Sequence, residues 1–279
     1  MNSRFPIRLV IAIVIALGGI VAYYARTSVN PVTGEKQHIS LTAEQETALG
    51  LNAAPQMAAQ MGGDVPPDDP DASFVRTVGE RVVRSGDASR SPYHFDFHLL
   101  NDSRTVNAFA LPGGQVFITR GLLSRLKTEA QLAGVLGHEI GHVIHRHGAE
   151  HLSKAELAGS LTIAVGVGAS DRRGGGQAAY AISQIVSEMM QLRYSREDEL
   201  EADQYGLATL PHAGYDPSAM LGVMEILAKA SAGGGQPEFM SSHPHPESRI
   251  EAIRAWLGKN YAGGVPRTLT QGKTLGSND

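Results

Sequence analysis

The stretch Val135–Gly148, reading VLGHEIGHVIHRHG, constrains this chain more than any other. His138 and His142 stand four residues apart, with Glu139 beside the first. At 100° per residue, positions four apart lie about 40° apart on one helical face, so both imidazoles can reach a single ion; a strand would not place them so. Neighbouring residues predict the helix independently. Thr128 with Gln131 three residues on makes a capping-box pattern, and Leu132, Val135, Leu136, Ile140, Val143 and Ile144 supply apolar positions through the following turns. Gly134, Gly137 and Gly141 cost helix propensity, which in a stable helix suggests that other backbone or a ligand comes close. A His-Glu-x-x-His string arises by accident in roughly two of every hundred chains of this composition, so a second feature must support it.

A catalytic zinc usually takes three protein ligands and keeps a fourth position for water. The third is sought in YSREDELEADQYGLATL, residues 194–210, where Glu197, Asp198, Glu199, Glu201 and Asp203 crowd one short segment. Helical phase sorts these five. Ala202, Gly206 and Leu210 share the face of Glu199, and Asp203 lies about 40° away. Glu197, Asp198 and Glu201 fall on the other side, where water can solvate them. A carboxylate on a buried helical face is costly unless it is paired or bound to a metal, which makes Glu199 the natural third ligand. Asp203, one turn on, is placed to accept the free ring N–H of a liganding histidine. His145 continues the face of His138 and reads as partly exposed, while His147 and His151 are expected to point away from the site.

His-Glu-Ile-Gly-His followed by Ser-Arg-Glu-Asp-Glu-Leu-Glu-Ala-Asp, with Glu199 57 residues past His142, resembles the gluzincin zinc metallopeptidases related to the CAAX prenyl protease and HtpX, in particular their bacterial periplasmic branch. Three further segments are similar: NPVTGEKQHISLTAEQETALG at 30–50, NAFALPGGQVFITRGLL at 107–123 and SSHPHPESRIEAI at 241–253. The resemblance covers roughly residues 30–258. It implies one Zn2+ per chain held by His138, His142 and Glu199, with Glu139 as general base. Physical chemistry is consistent with those roles. Three-ligand zinc lowers the pKa of bound water from about 15.7 toward ~7, and Glu139, about 100° from His138, can reach that water without binding the ion.

Val106–Leu111 and Gln115–Thr119 are extended runs around Pro112-Gly113-Gly114, a strong hairpin signal. If the first is an edge strand beside the zinc helix, Asn107, Ala108, Phe109 and Ala110 can pair with an extended peptide substrate. His243, in the proline-stiffened run His243-Pro244-His245-Pro246, is read either as a plain connector or as a residue brought over the zinc. There it would stabilise the oxyanion or take the fourth coordination position and hold the enzyme latent. Arg249, on the helix that follows, is a further candidate for oxyanion stabilisation.

At the N-terminus, Arg4 and Arg8 precede LVIAIVIALGGIVAYYA, residues 9–25, a charge-free run. As a helix it would extend about 25 Å, slightly short of a ~30 Å hydrocarbon core. Arg8 can snorkel, and Tyr23 and Tyr24 can sit at the interface. An uncleaved anchor is favoured over a signal cleaved near Ala22 or Ala25. Positive-inside orientation puts the rest of the chain outside the cytoplasm, in the periplasm if the cell is Gram-negative. A net charge of −4 without basic stripes argues against nucleic acid, and zero cysteines exclude disulfides, thiolate metal sites and a cysteine nucleophile.

The expected architecture is α+β and mainly helical: an anchor or signal at 1–29, a zincin-like peptidase domain at 30–262 with a small sheet beside the active-site helix, and a disordered tail at 263–279. Helices are expected at Leu41–Met61, 74–84 and from Asp216 to about Ala230, with a strand within residues 92–100. The apolar 13-mer at 157–169 is either a core helix or a membrane-facing flap, and 171–177 reads as a loop. The expected substrates are polypeptides, unfolded or misassembled envelope proteins, cut in protein quality control. The competing class is a noncatalytic chaperone-like assembly factor that binds extended chains. A cytoplasm-facing enzyme for prenylated substrates is disfavoured by the single hydrophobic segment.

Overall fold

The computed structural model describes residues 7–155, 186–232, 237–244 and 246–275. The apolar 13-mer and the loop expected at 171–177 lie outside these residues. The chain opens with α1 (Ile7–Ala25) and a short antiparallel pair, β1 (Ser28–Val29) with β2 (Lys36–Gln37). Then come α2 (Ala43–Gln60), α3 (Pro70–Ser85), β3 (Asp96–Leu100), β4 (Ala108–Leu111), β5 (Gln115–Thr119) and α4 (Arg120–Leu123). The expected metal helix is α5 (Glu129–Ile144), followed by α6 (147–155) and, past residue 185, α7 (186–190). Four more helices complete the chain: α8 (Arg196–His212), α9 (Ala219–Ala232), α10 (Glu238–Ser242) and α11 (Pro246–Asn260). The architecture is mainly helical with small sheets. Among the fully described residues no helix is long and apolar enough to cross a membrane.

The main sheet has strand order β3-β5-β4, with β3 parallel and β4 antiparallel to the central β5. All of β5 is buried, whereas β4 is an edge strand and packs beside α5. The β4–β5 turn uses Pro112 and then Gly113 at φ +85°, the left-handed conformation a Pro-Gly turn needs at its third residue. A Cβ there would also meet the Thr47 backbone of α2 at 2.3 Å. Val75, Val78 and Val82 of α3, Leu99, Val116 and Ile118 of the sheet, and Leu132, Leu136 and Ile140 of α5 form one core. Each such side chain contributes about 1.5–3 kcal/mol by leaving water, which fixes α5 between sheet and helices with nearly every residue buried.

The glycines of α5 do what their cost implied. A Cβ on Gly141 would lie 2.9 Å from Ala202 Cα, and one on Gly137 3.3 Å from Gly206 Cα, so α8 approaches α5 backbone to backbone. The start of α5 differs from the capping-box expectation. Thr128 accepts from Gln131 N–H, but the Gln131 side chain accepts from Lys127 N–H rather than reaching back to Thr128.

The tail is a correction. Residues 263–279 were expected to be disordered, yet within them 271–275 dock on the entrance of α5. The carbonyls of Lys273 and Gln271 accept from the N–H groups of Glu129 and Ala130 at 2.8 and 3.0 Å, and Leu275 N–H donates to Lys127 O at 2.8 Å. The first turn of any helix has N–H groups without intrahelical partners, and here main-chain carbonyls satisfy two of them. Side-chain polarity carries no information about such bonds. The folded unit therefore runs past residue 262.

Candidate metal centre

Four side chains from three segments converge: His138 and His142 from α5, Glu199 from α8 and His243 at the end of α10. All four are at most 2% exposed. His138 Nε2 lies 3.1 Å from His142 Nε2 and 3.2 Å from His243 Nδ1. Glu199 Oε2 is 3.6 Å from His138 Nε2, and Oε1 is 3.6 Å from His142 Nε2 and 2.9 Å from His243 Nδ1. A tetrahedral ion with bonds of about 2.0–2.1 Å spaces its ligand atoms about 3.3 Å apart, and these separations scatter around that edge. The donor set, imidazole nitrogens plus one carboxylate, is also what zinc takes.

The hydrogen-bond partners assign the free electron pairs. His138 Nδ1 lies 2.9 Å from the carboxylate oxygen Asp203 Oδ1, so it carries the proton, and the lone pair is left on Nε2 facing the cluster. Burial, and then the neighbouring His138 and His147, hold His142 well below the usual imidazole range, which keeps it neutral. Glu139, beside His138, is fully buried with neither carboxyl oxygen hydrogen-bonded within the protein, and its Oε1 is 3.6 Å from His243 Nε2. Burial pushes this carboxyl up more than the nearby His243 and His138 pull it down. An orphaned carboxyl next to converging lone pairs is costly in a plain core. It fits a site built for a cation and a polar reactant.

Arg249, the further candidate for oxyanion stabilisation, is bound to the carboxylates: Nε and Nη2 donate to Asp203 Oδ2 and Oδ1, each at 2.7 Å, and Nη1 lies 2.6 Å from Glu199 Oε2. Its contact with His138 is at Nδ1, the outward nitrogen. Buried between these two carboxylates, it clamps Glu199 and Asp203, and its Nη1 is left without a well-formed hydrogen bond. Burial alone would raise the Glu199 carboxyl, but Arg249, with His243 and His138, holds it below its ordinary value. Asp203 is likewise driven up by burial and brought well down by Arg249 and His138.

The other histidines also depart from expectation. His147 was expected to point away, yet it is buried at 2% exposure with its Nδ1 2.9 Å from His142 Nδ1. His151 does stand outside the cluster, paired with Asp198 at 3.1 Å. Glu201 and Asp198, read as solvated, also meet histidines: Glu201 Oε2 is 3.1 Å from His147 Nε2 and 3.3 Å from His145 Nδ1. The sequence reading also missed Tyr194, which stacks on His142 with ring centroids 3.8 Å apart, and Phe239, which stacks on His243 at 4.3 Å. Their apolar faces exclude water from both imidazoles.

Beside the cluster runs β4. Asn107 and Ala108 are buried, Phe109 is half-buried, Ala110 is buried, and Asn107 Oδ1 has no hydrogen-bond partner. A cavity of about 140 Å³ opens between this strand, α7 and α10, lined among others by Asn107, Phe109, Met57 and Met189.

Two histidines on one helix and a glutamate on a second, converging beside an unpartnered glutamate, have the arrangement of a metallopeptidase site. Residues 71–257 match Peptidase family M48, and the chain belongs to that family. It is 32% identical over 235 residues to the beta-barrel assembly-enhancing protease of Yersinia pestis, covering 80% of this chain and 46% of that protein. Its Escherichia coli K12 counterpart is 32% identical over 186 residues, 65% of this chain and 38% of that protein. The mitochondrial metalloendopeptidase OMA1 of Schizosaccharomyces pombe is 29% identical over 242 residues, 86% of this chain and 69% of that protein. This chain thus spans less than half the length of the two bacterial relatives.

Proposed function

We propose that this chain is a zinc endopeptidase that cuts unfolded or misassembled proteins of the bacterial envelope; membership of the peptidase family and similarity to proteins named beta-barrel assembly-enhancing protease support the reading. The observation that carries the reading is the convergence of His138, His142 and Glu199 at tetrahedral spacing next to the unpartnered Glu139 carboxyl. Zinc bound there would supply Lewis acidity that makes water a nucleophile near neutral pH. Glu139 then takes the proton from the attacking water and passes it to the departing amine. Asp203 keeps His138 in the tautomer that offers Nε2, and Arg249 holds Asp203 and Glu199 in place. Asn107–Ala110, with β4 at the sheet edge, receives an extended peptide by main-chain pairing, which favours unfolded segments over particular sequences.

His243 stands within ligand distance of the cluster. With zinc bound, His243 would take the fourth position itself; that form would be latent, and cleavage would need His243 to withdraw. For localisation, the charge-free run at 9–25 and the helical backbone of Ile7–Ala25 support an N-terminal anchor that holds the peptidase domain in the periplasm.

The test is metal content and casein cleavage by the purified full chain in detergent, comparing wild type, Glu139→Gln and His243→Ala. Expected are one zinc per chain, retention of metal with loss of about 10²–10⁴-fold in cleavage for Glu139→Gln, and faster cleavage for His243→Ala. Absence of bound zinc would sink the site assignment. Zinc without cleavage in wild type or His243→Ala would favour the chain-binding assembly factor.

A further inference from the structure

His147 lies five residues after His142, about 140° around a continuing helix, and helical phase would turn it away. The chain does not continue the helix. Ile144 ends α5, His145 takes φ −82° and ψ −2° at the cap, and Arg146 adopts φ +59°, the sole positive φ at a non-glycine among the described residues. That conformation costs roughly 1–2 kcal/mol for a side chain with a Cβ. It is held from outside. The buried Arg146 guanidinium donates through Nε to Glu46 Oε1 at 2.9 Å, pairs with the same oxygen through Nη2, and donates to Ser28 Oγ at 2.9 Å and Leu41 O at 2.8 Å. The reversal swings His147 underneath His142.

Two ring nitrogens 2.9 Å apart make a hydrogen bond only if one carries a proton and the other a lone pair. The assignment follows from the far side of His147. Its Nε2 faces Glu201 Oε2 at 3.1 Å, with Asp198 Oδ1 at 3.8 Å, and carboxylates only accept. Nε2 therefore carries a proton, and the tautomer that does so leaves its lone pair on Nδ1. His142 donates from Nδ1, which leaves its Nε2 lone pair facing His138 and Glu199.

We propose that His147 and Glu201 are positioning residues for His142, a two-membered relay that fixes its tautomer and ring plane for metal binding. This rests on the reading of His138, His142 and Glu199 as metal ligands. Partners behind liganding histidines generally matter about 10–100-fold in metal affinity.

The experiment is a zinc titration of the metal-free full chain in detergent against a chromophoric chelator, for wild type, His147→Phe, His147→Asn and Glu201→Gln. Thermal melts of each metal-free protein accompany it. Expected are one equivalent for wild type and about 10–100-fold weaker binding for His147→Phe, which keeps the ring but not the acceptor. His147→Asn, whose Oδ1 can accept in place of Nδ1, recovers most of that loss, and Glu201→Gln falls between because Asp198 stays nearby. A role in packing alone predicts the opposite order, with Phe tolerated and Asn not, and that order overturns the proposal. So does a second zinc equivalent that disappears in Glu201→Gln, which would make His145, His147 and Glu201 a metal site of their own. If His147→Phe melts too low to titrate, unchanged affinity in Glu201→Gln overturns the proposal. Wild type that binds no zinc overturns the underlying metal-site reading, an outcome distinct from wild-type binding that the variants do not weaken.

Discussion

His138 is backed by Asp203, whose carboxylate is clamped by Arg249, and all three side chains are at most 2% exposed. His142 is backed by another histidine, and the carboxylate closing that chain, Glu201, is 46% exposed. The same task, fixing an imidazole behind a metal, is thus done once in a dry pocket and once at the solvent edge. The difference comes from α8, which carries both carboxylates. Its buried face delivers Asp203 to the middle of α5, while Glu201, on the flank, meets the end of α5 where the chain has reversed.

Three substitutions probe that contrast. Arg249→Met attacks the dry side and has the largest expected effect, because it leaves Glu199 and Asp203 buried without their cation. Breaking such a buried network costs about 3–5 kcal/mol, read from denaturant unfolding of the metal-free protein. A loss under about 1 kcal/mol would show that the clamp does not hold the site. Asp203→Asn removes the charge behind His138 while Arg249 keeps Glu199. We expect zinc affinity about 100-fold weaker in chelator competition, and a change smaller than that of Glu201→Gln would reverse the ranking of the two supports.

Gly141→Ala acts on both supports together, since its Cβ would meet Ala202 Cα at 2.9 Å and Ala202 O at 3.0 Å and push α8 away. The expected cost is about 1–3 kcal/mol with weaker zinc binding. Gly134→Ala is its control. There the added Cβ meets the movable Met220 Cγ at 3.2 Å, and the gain in helix propensity of roughly 1 kcal/mol offsets the crowding. Equal melting temperatures for the two variants would contradict a backbone-limited α5–α8 contact.

Much of the site could be read before any coordinates. His138, His142, Glu199 and Asp203 each sit on a regular helix, so spacing alone put them on the faces where they are found. The β4–β5 hairpin was legible from Pro112-Gly113-Gly114 between two extended runs. Arg249 was placed near the site, but its carboxylate partners were not named. Which carboxylates surround a guanidinium is a matter of three helices meeting, and no spacing within α11 encodes it. His147 was missed because helical phase fails where the helix fails, and nothing in the string IHRHG announces that Arg146 turns left-handed. The docked tail was missed because the main-chain bonds that tie it to Lys127, Glu129, Ala130 and Asp216 are not reported by composition.

Taken alone, the amino-acid sequence settles what is periodic and local: a helix with two histidines on one face, a second helix with a buried glutamate and a neighbouring aspartate, and a tight hairpin. Hydrophobic period and turn chemistry act over a few residues, so they are written in the chain. The folded structure settles which of these meet. It brings α8 against the glycines of α5, seats His243 beside His138, His142 and Glu199, packs Arg249 against Asp203 and Glu199, and swings His147 behind His142. Each of those depends on contacts between residues dozens of positions apart, and their geometry exists only once the core has packed.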